Sequence, residues 1–172
     1  MRTLKARGHT VLFHDLYREH FDPLLSNVEL KRRFSFDEQV QHFSNELVTS
    51  DALLLIHPEW WSGPPALLKG WIDRVLRPGV AYEYTGDEHL RKVKRPLLVG
   101  KRALILATTD AAPSPGEPLV AQSWREVLGF CGITDVTFEM LSDMREIDTL
   151  ARREWLTKVE TVVAKLFPSE GG

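Results

Sequence analysis

Two segments of the chain gather the side chains best suited to chemistry. His57-Pro58-Glu59-Trp60-Trp61-Ser62-Gly63 sets two adjacent indoles beside a carboxylate and a hydroxyl, and Thr108-Thr109-Asp110 opens a loop that runs to Gly116. Indole faces stack on flat conjugated rings, each aromatic pair adding about 0.5–1.5 kcal/mol beyond area burial. Hydroxyls, a carboxylate and loop N–H groups hydrogen-bond the polar edge of such a ring. A plainer role fits the same residues: one tryptophan in the core, the other under a loop or a partner subunit, and Thr-Thr as an ordinary strand end. Residue types alone weigh a flat aromatic ligand and a protein contact equally.

Other chemistries are removed by counting. His57-Pro58-Glu59 matches the H-x-E half of a zinc deaminase signature, but the P-C-x-x-C half is absent. His9, His14, His20, His42 and His89 show no metal-ligand spacing, so no metal site is expected. Cys131 falls on the apolar side of a helix and reads as a buried inert thiol. There is no G-x-S-x-G elbow, no G-x-G-x-x-G and no Walker loop. Pro64 and Pro65 remove two N–H groups from the start of the helix after the tryptophans, which makes it a poor phosphate site.

The elements that must position these loops can be read from periodicity. Met1 to Arg7 reads as a helix closed by Gly8, and Thr10 to Leu16 as a strand. Ser35-x-x-Glu38 resembles a capping box, opening a helix with Phe36, Val40, Phe43 and Leu47 on one face. Asp51 to His57 is a continuous apolar run, as in a strand covered on both faces of a parallel sheet. Leu68, Trp71, Ile72, Val75 and Leu76 then follow helical spacing up to Pro78-Gly79. Tyr82 to Pro96 is a polar excursion with a turn near Thr85-Gly86-Asp87, and Lys101 to Thr109 is a third strand. Val120 to Cys131, capped by Gly132, Asp135 to Leu141, and a helix carrying Trp155, Val159, Val162, Val163 and Leu166 complete the pattern. Strands separated by helices predict an α/β fold with a doubly wound parallel sheet, whose ligands bind beyond the carboxyl ends of the strands.

The 172 residues, 43% hydrophobic and 27% charged, read as one domain over 1–172. Twenty-two Lys+Arg against 24 Asp+Glu leave no field that asks for nucleic acid, and Lys31-Arg32-Arg33 and Arg91 to Arg95 read as solvated surface. One cysteine excludes an internal disulfide framework. The longest uncharged apolar run, Ala52 to Ile56, is too short for a membrane span, and no signal peptide is visible, so a cytoplasmic location is expected.

The stretch from His57 through Pro64-Pro65-Ala66-Leu67-Leu68-Lys69-Gly70-Trp71-Ile72-Asp73-Arg74-Val75, continued by Pro78-Gly79-Val80-Ala81-Tyr82-Glu83-Tyr84, resembles the signature of the flavodoxin-like NAD(P)H:quinone oxidoreductase family. Weaker similarity runs through His9 to Asp22 and Lys101 to Thr109. The resemblance implies a flavodoxin-like fold and a flavoenzyme that passes a hydride from NADH or NADPH through FMN or FAD to a quinone-like acceptor. It implies that Pro58, Glu59, Trp60, Trp61 and Ser62 line the flavin, and that Thr108, Thr109 and Asp110 meet its pyrimidine edge. Asp110 departs from the glycine often found there. Tyr82 and Tyr84 would close the substrate side across a homodimer interface, and no catalytic residue is assigned.

Members of that family begin with a strand, a phosphate-binding loop and a full helix ahead of the segment similar to Met1–Asp22. The first strand is therefore expected to be missing from this chain, leaving a gap in the sheet beside Asp51–His57. Two explanations stand: a start upstream of Met1, favoured because the core pattern is retained, or a degraded relative. The rival function is a non-catalytic interaction or regulatory subunit, for example of a transporter, docking through the same aromatic loop and tyrosines.

Overall fold

The computed structural model describes residues 1–32, 34–85, 93–113 and 115–169. In chain order the elements are α1 (Arg2–Ala6), α2 (Asn27–Arg32), α3 (Glu38–Thr49), β1 (Ala52–Pro58), α4 (Ala66–Val75), β2 (Tyr82–Thr85), β3 (Val93–Pro96), β4 (Arg102–Thr108), α5 (Leu119–Cys131), β5 (Asp135–Leu141) and α6 (Thr149–Leu166). β1, β4 and β5 form a parallel sheet in that order, and β2 and β3 form a separate antiparallel hairpin.

Alternation along β4 separates two cores. Ala103 and Ile105 join Leu55, Val136 and residues of α3, α4 and α5, including Val40, Trp71 and Trp124. Leu104 and Leu106 point the other way, to Leu4 of α1 and Val159 and Val163 of α6. Helices thus cover both faces of β4, as its apolar run predicts; on β1 the cover is incomplete, with Ile56 exposed. The fold is α/β and doubly wound around a parallel sheet.

One buried cation ties the connection ahead of α3 to α4. Arg74 is 4% exposed; its guanidinium donates to Glu29 Oε1 at 3.0 Å, to Asp37 Oδ2 at 2.8 Å and to the Asp22 carbonyl at 2.6 Å. Burial alone would raise the Glu29 carboxyl. The Ser26 backbone N–H, the Ser35 and Ser26 hydroxyls and Arg74 outweigh it and hold Glu29 down to about 2. One turn earlier on α4, Gly70 admits the same incoming chain: a Cβ there would lie 2.3 Å from Pro23 Cβ and 2.4 Å from its backbone. Gly70-x-x-x-Arg74 is therefore a docking face at i, i+4 spacing.

Several expectations need correction. Residues 10–16 form no strand, because a strand needs a neighbour; among the described residues β1 is paired on one edge only, to β4. Leu12 and Phe13 are exposed there, while Val11 and Leu16 pack against the two cores. The N-cap of α3 is Asp37, whose carboxylate accepts from the Gln39 and Val40 N–H groups, rather than Ser35. The reciprocal S-x-x-E box lies at Ser26 and Glu29 instead: Ser26 N–H donates to Glu29 Oε2 and Glu29 N–H to Ser26 Oγ. Phe36 precedes that cap, so it is exposed and meets Phe34 edge-on at 5.2 Å rather than joining Val40, Phe43 and Leu47. The polar excursion at 82–96 contains the β2–β3 hairpin; its expected turn residues Gly86 and Asp87, with His89, Arg33, Arg91 and Ser114, lie outside the described residues.

Gly70→Ala should cost about 1–3 kcal/mol in urea unfolding, because Pro23 backbone must move. Stability should also fall with acid between about pH 4.5 and 2. Well above 4.5 Glu29 is ionised in both states, but between 4.5 and about 2 the folded chain keeps a charge that the unfolded chain loses. In Glu29→Gln that part of the acid loss should disappear.

Candidate functional site

The loops carrying the expected site leave adjacent parallel strands in register. Pro58 pairs with Thr108, the last rung of the β1–β4 ladder, and Glu59 N–H reaches the Thr108 carbonyl at 2.7 Å. Pro58, Glu59 and Thr108 are thus side by side at the carboxyl edge of the sheet. Beyond Glu59 the chain reverses in a tight turn. Trp60 N–H donates to Gly63 O at 2.9 Å and Gly63 N–H to Trp60 O at 3.1 Å. Trp61 and Ser62, the two central residues, have φ of +53° and +61°. Positive φ at both positions is the primed-turn geometry usually filled by Asn-Gly, and it strains side-chain-bearing residues.

Neither indole turns inward. Trp60 is 62% exposed and Trp61 fully exposed, so the reading with one tryptophan in the core does not hold. The core position beneath them belongs to His57, 5% exposed, between two partners. Its Nδ1 lies 2.9 Å from the Pro58 carbonyl, and the Trp124 indole N–H donates to its Nε2 at 3.0 Å. An indole only donates and a carbonyl only accepts, so the ring is neutral with its proton on Nδ1. Burial pushes the His57 pKa below its ordinary value, against the pull of the Pro58 carbonyl and Glu59. Sequence reasoning tested His57 as a metal ligand and missed this role; the signal was a histidine inside an apolar strand opposite a buried tryptophan.

On the neighbouring loop Thr109 is buried. Its N–H donates to the Leu141 carbonyl at 2.9 Å, and its Oγ1 accepts from Ala111 N–H at 3.2 Å. Asp110 is exposed and paired with Arg145 at 2.8 Å, and Thr108 is half-buried. Tyr82 and Tyr84 sit on the separate β2–β3 hairpin, edge-on to each other at 5.7 Å, with Tyr82 also 4.8 Å from Phe130 of α5. The structure therefore brings Pro58, Glu59, Trp60, Trp61 and Ser62 together with Thr108, Thr109 and Asp110, and puts the tyrosines on another element. At the foot of the tryptophan turn, α4 starts with Pro65 as its N-cap.

A family profile described as a flavodoxin-like fold matches residues 1–162. This chain belongs to that family. An NAD(P)H oxidoreductase of Haemophilus influenzae, itself uncharacterised, is 31% identical over 156 residues, covering 87% of this chain and 75% of that protein. An FMN-dependent NADH:quinone oxidoreductase of Cereibacter sphaeroides is 36% identical over 122 residues, covering 70% of this chain and 58% of that one. Among solved structures, an NAD(P)H:quinone oxidoreductase from Methanothermobacter marburgensis superposes with a TM-score of 0.76 at 31% identity, covering 95% of this chain and 84% of its own. The chain thus spans three quarters of the first relative's length and less than three fifths of the second's.

Trp124→Phe should lower stability by about 1–3 kcal/mol, since it leaves His57 Nε2 buried without a donor. Because the folded state resists protonating His57, wild-type stability should be complete above pH 6.5 and decline below it. Urea midpoints measured from pH 8 to 5 check both.

Proposed function

We propose that this chain is a flavin-dependent NAD(P)H oxidoreductase that passes electrons to a quinone or a similar acceptor. The observation that carries the reading is the pair of exposed indoles on a hydrogen-bonded turn beside the end of β4. A large apolar surface held in water by a fixed loop is the signature of a site meant to be covered. The names of the Cereibacter and Methanothermobacter relatives support the chemistry, and the former favours FMN over FAD and NADH as donor.

The residues present fit the ring end of a flavin. Trp60 and Trp61 would offer stacking faces, Pro58, Glu59 and Ser62 would line the turn that carries them, Thr108 and the Arg145-paired Asp110 would meet the ring's edge, and buried Thr109 would hold that loop through its Leu141 and Ala111 bonds. The N-terminus of α4 does not fit the phosphate end: Pro64 and Pro65 carry no N–H. When bound, a flavin supplies the hydride chemistry between nicotinamide and acceptor. The chain's own part is to cover one face of the ring, exclude water from it and fix its edge by hydrogen bonds. Neutral His57, locked to Trp124, holds the Pro58 carbonyl and so the base of the turn.

Tyr82 and Tyr84 are proposed to face the acceptor across a homodimer interface. Tyr84 is exposed on its hairpin, which leaves it available to such a contact. We take residues 1–172 as one domain working in the cytoplasm; among the described residues no helix is long and apolar enough to cross a membrane.

Titration of the purified chain with FMN should quench tryptophan emission and shift the flavin's visible bands. Trp61→Ala, whose side chain is fully exposed, should weaken FMN by about 2- to 10-fold, the value of one stacked pair, with stability unchanged. FAD should bind less tightly. Equal FMN affinity in wild type and in the Trp60→Ala/Trp61→Ala double variant would overturn the flavin reading and favour a docking subunit.

A further inference from the structure

A second cluster of chemically capable side chains lies on the segment before α2 and on α3. His42 and Glu46 are one turn apart on α3, with His42 Nε2 3.2 Å from Glu46 Oε1. The chain between α1 and α2 brings His14 against them, its Nε2 2.5 Å from Glu46 Oε2. One ligand atom from each of the three lies within 4.8 Å of the other two. Sequence spacing hid the cluster because His14 stands 28 positions before His42; only the i, i+4 pair was visible.

The far side of His14 is also occupied. Its Nδ1 is 3.1 Å from Glu19 Oε2, and Glu19 Oε1 in turn accepts the Asp15 N–H at 2.9 Å. A neutral imidazole has one N–H for two carboxylates. With Nδ1–H donated to Glu19, the Nε2 lone pair faces the Glu46 oxygen, and two acceptors at that distance need a cation between them. A metal ion fills that role once the two atoms move apart to its ligand spacing. A carboxylate behind the ring of a ligating histidine is the arrangement that fixes the tautomer at metal sites. With both imidazoles neutral, Glu19 and Glu46 leave a charge that a divalent ion balances.

We propose that His14 Nε2, His42 Nε2 and the Glu46 carboxylate form a site for a divalent transition-metal ion of the zinc type, with Glu19 orienting His14. Two imidazoles and one carboxylate are borderline ligands that favour zinc and its neighbours over magnesium and calcium, which take oxygen. Ligands around tetrahedral zinc stand about 3.3 Å apart, so His14 and Glu46 separate by less than about 1 Å and a water completes the set. The site clips residues 10–16, which form no strand, onto α3. His14 and Glu46 are half-buried and His42 is exposed, which leaves a path for entry.

The test is zinc chloride added at pH 7.5 to the metal-free chain, read by competition with a chromophoric chelator. One equivalent should bind with a micromolar or tighter Kd, undisturbed by millimolar magnesium or calcium. His42→Ala, at a surface position that should leave the fold intact, should weaken binding at least 10-fold, and His20→Ala should not. Glu19→Gln should keep the stoichiometry and weaken affinity about 10- to 100-fold. Zinc should raise the thermal midpoint of wild type by several degrees and that of His42→Ala by less at the same zinc concentration. Failure to bind below 1 mM would overturn the proposal and leave the cluster as a proton-held ion network; equal affinity in wild type and His42→Ala would overturn it too.

Discussion

The β1–β4 ladder is the constraint on which the candidate site depends. Seven consecutive pairs run from Ala52 with Arg102 to Pro58 with Thr108, and the Glu59 bond adds one step past the last rung. A slip of one residue would exchange the faces of every side chain in β1. Leu55, now in the core of α3, α4 and α5, would leave it, and His57 would lose Trp124. The buried His57–Trp124 bond therefore reports the same register that sets the tryptophan turn beside Thr108. Packing and site geometry are fixed by one alignment.

Arg74 performs the corresponding task for the chain ahead of α3. A buried cation with both carboxylates and a carbonyl in reach is costly to desolvate, and its value lies in specificity as much as in stability. Glu29 is offered by the Ser26 capping box of α2, Asp37 by the N-cap of α3, and Asp22 by the loop that Gly70 lets approach. Each partner already has a local duty, so the guanidinium reads whether three turns have formed correctly. The long motif around α4 thus serves two ends: its first half builds the aromatic turn, its second half docks the preceding chain.

What was legible in the sequence followed from periodicity and from specific spacing. Leu68, Trp71, Ile72, Val75 and Leu76 are all buried as their helical positions require, and the apolar runs at 51–57 and 101–109 are adjacent strands of the parallel sheet, the second of them paired on both sides. Local competition decided the misses. Ser35 and Asp37 both stood at suitable cap positions, and Asp37 took the cap because Ser35 is turned to Glu29. Val11 and Phe13 alternate as strand residues do, but alternation supplies no hydrogen-bonding neighbour. For the site, residue identity suggested the two loops, whereas the exposure of both indoles depends on φ values that a Trp-Ser pair does not announce.

Those φ values bear on why the tryptophans stay exposed. Left-handed backbone costs a side-chain-bearing residue roughly 1–2 kcal/mol, and the turn contains two of them. Burying a large apolar side chain would return a similar or larger sum. Relaxation toward the surface is opposed by the paired Trp60–Gly63 hydrogen bonds on one side and by the fixed φ of Pro64 and Pro65 on the other. The turn thus holds apolar area in water at a conformational cost and is braced against the collapse that would remove it. Strain of this kind persists where the surroundings over-determine it, and it clusters at ligand clamps. Under the proposed flavin reading, a flat ring set against Trp60 and Trp61 would recover the unburied area without moving the turn, a use for the strained geometry that a purely structural loop would lack.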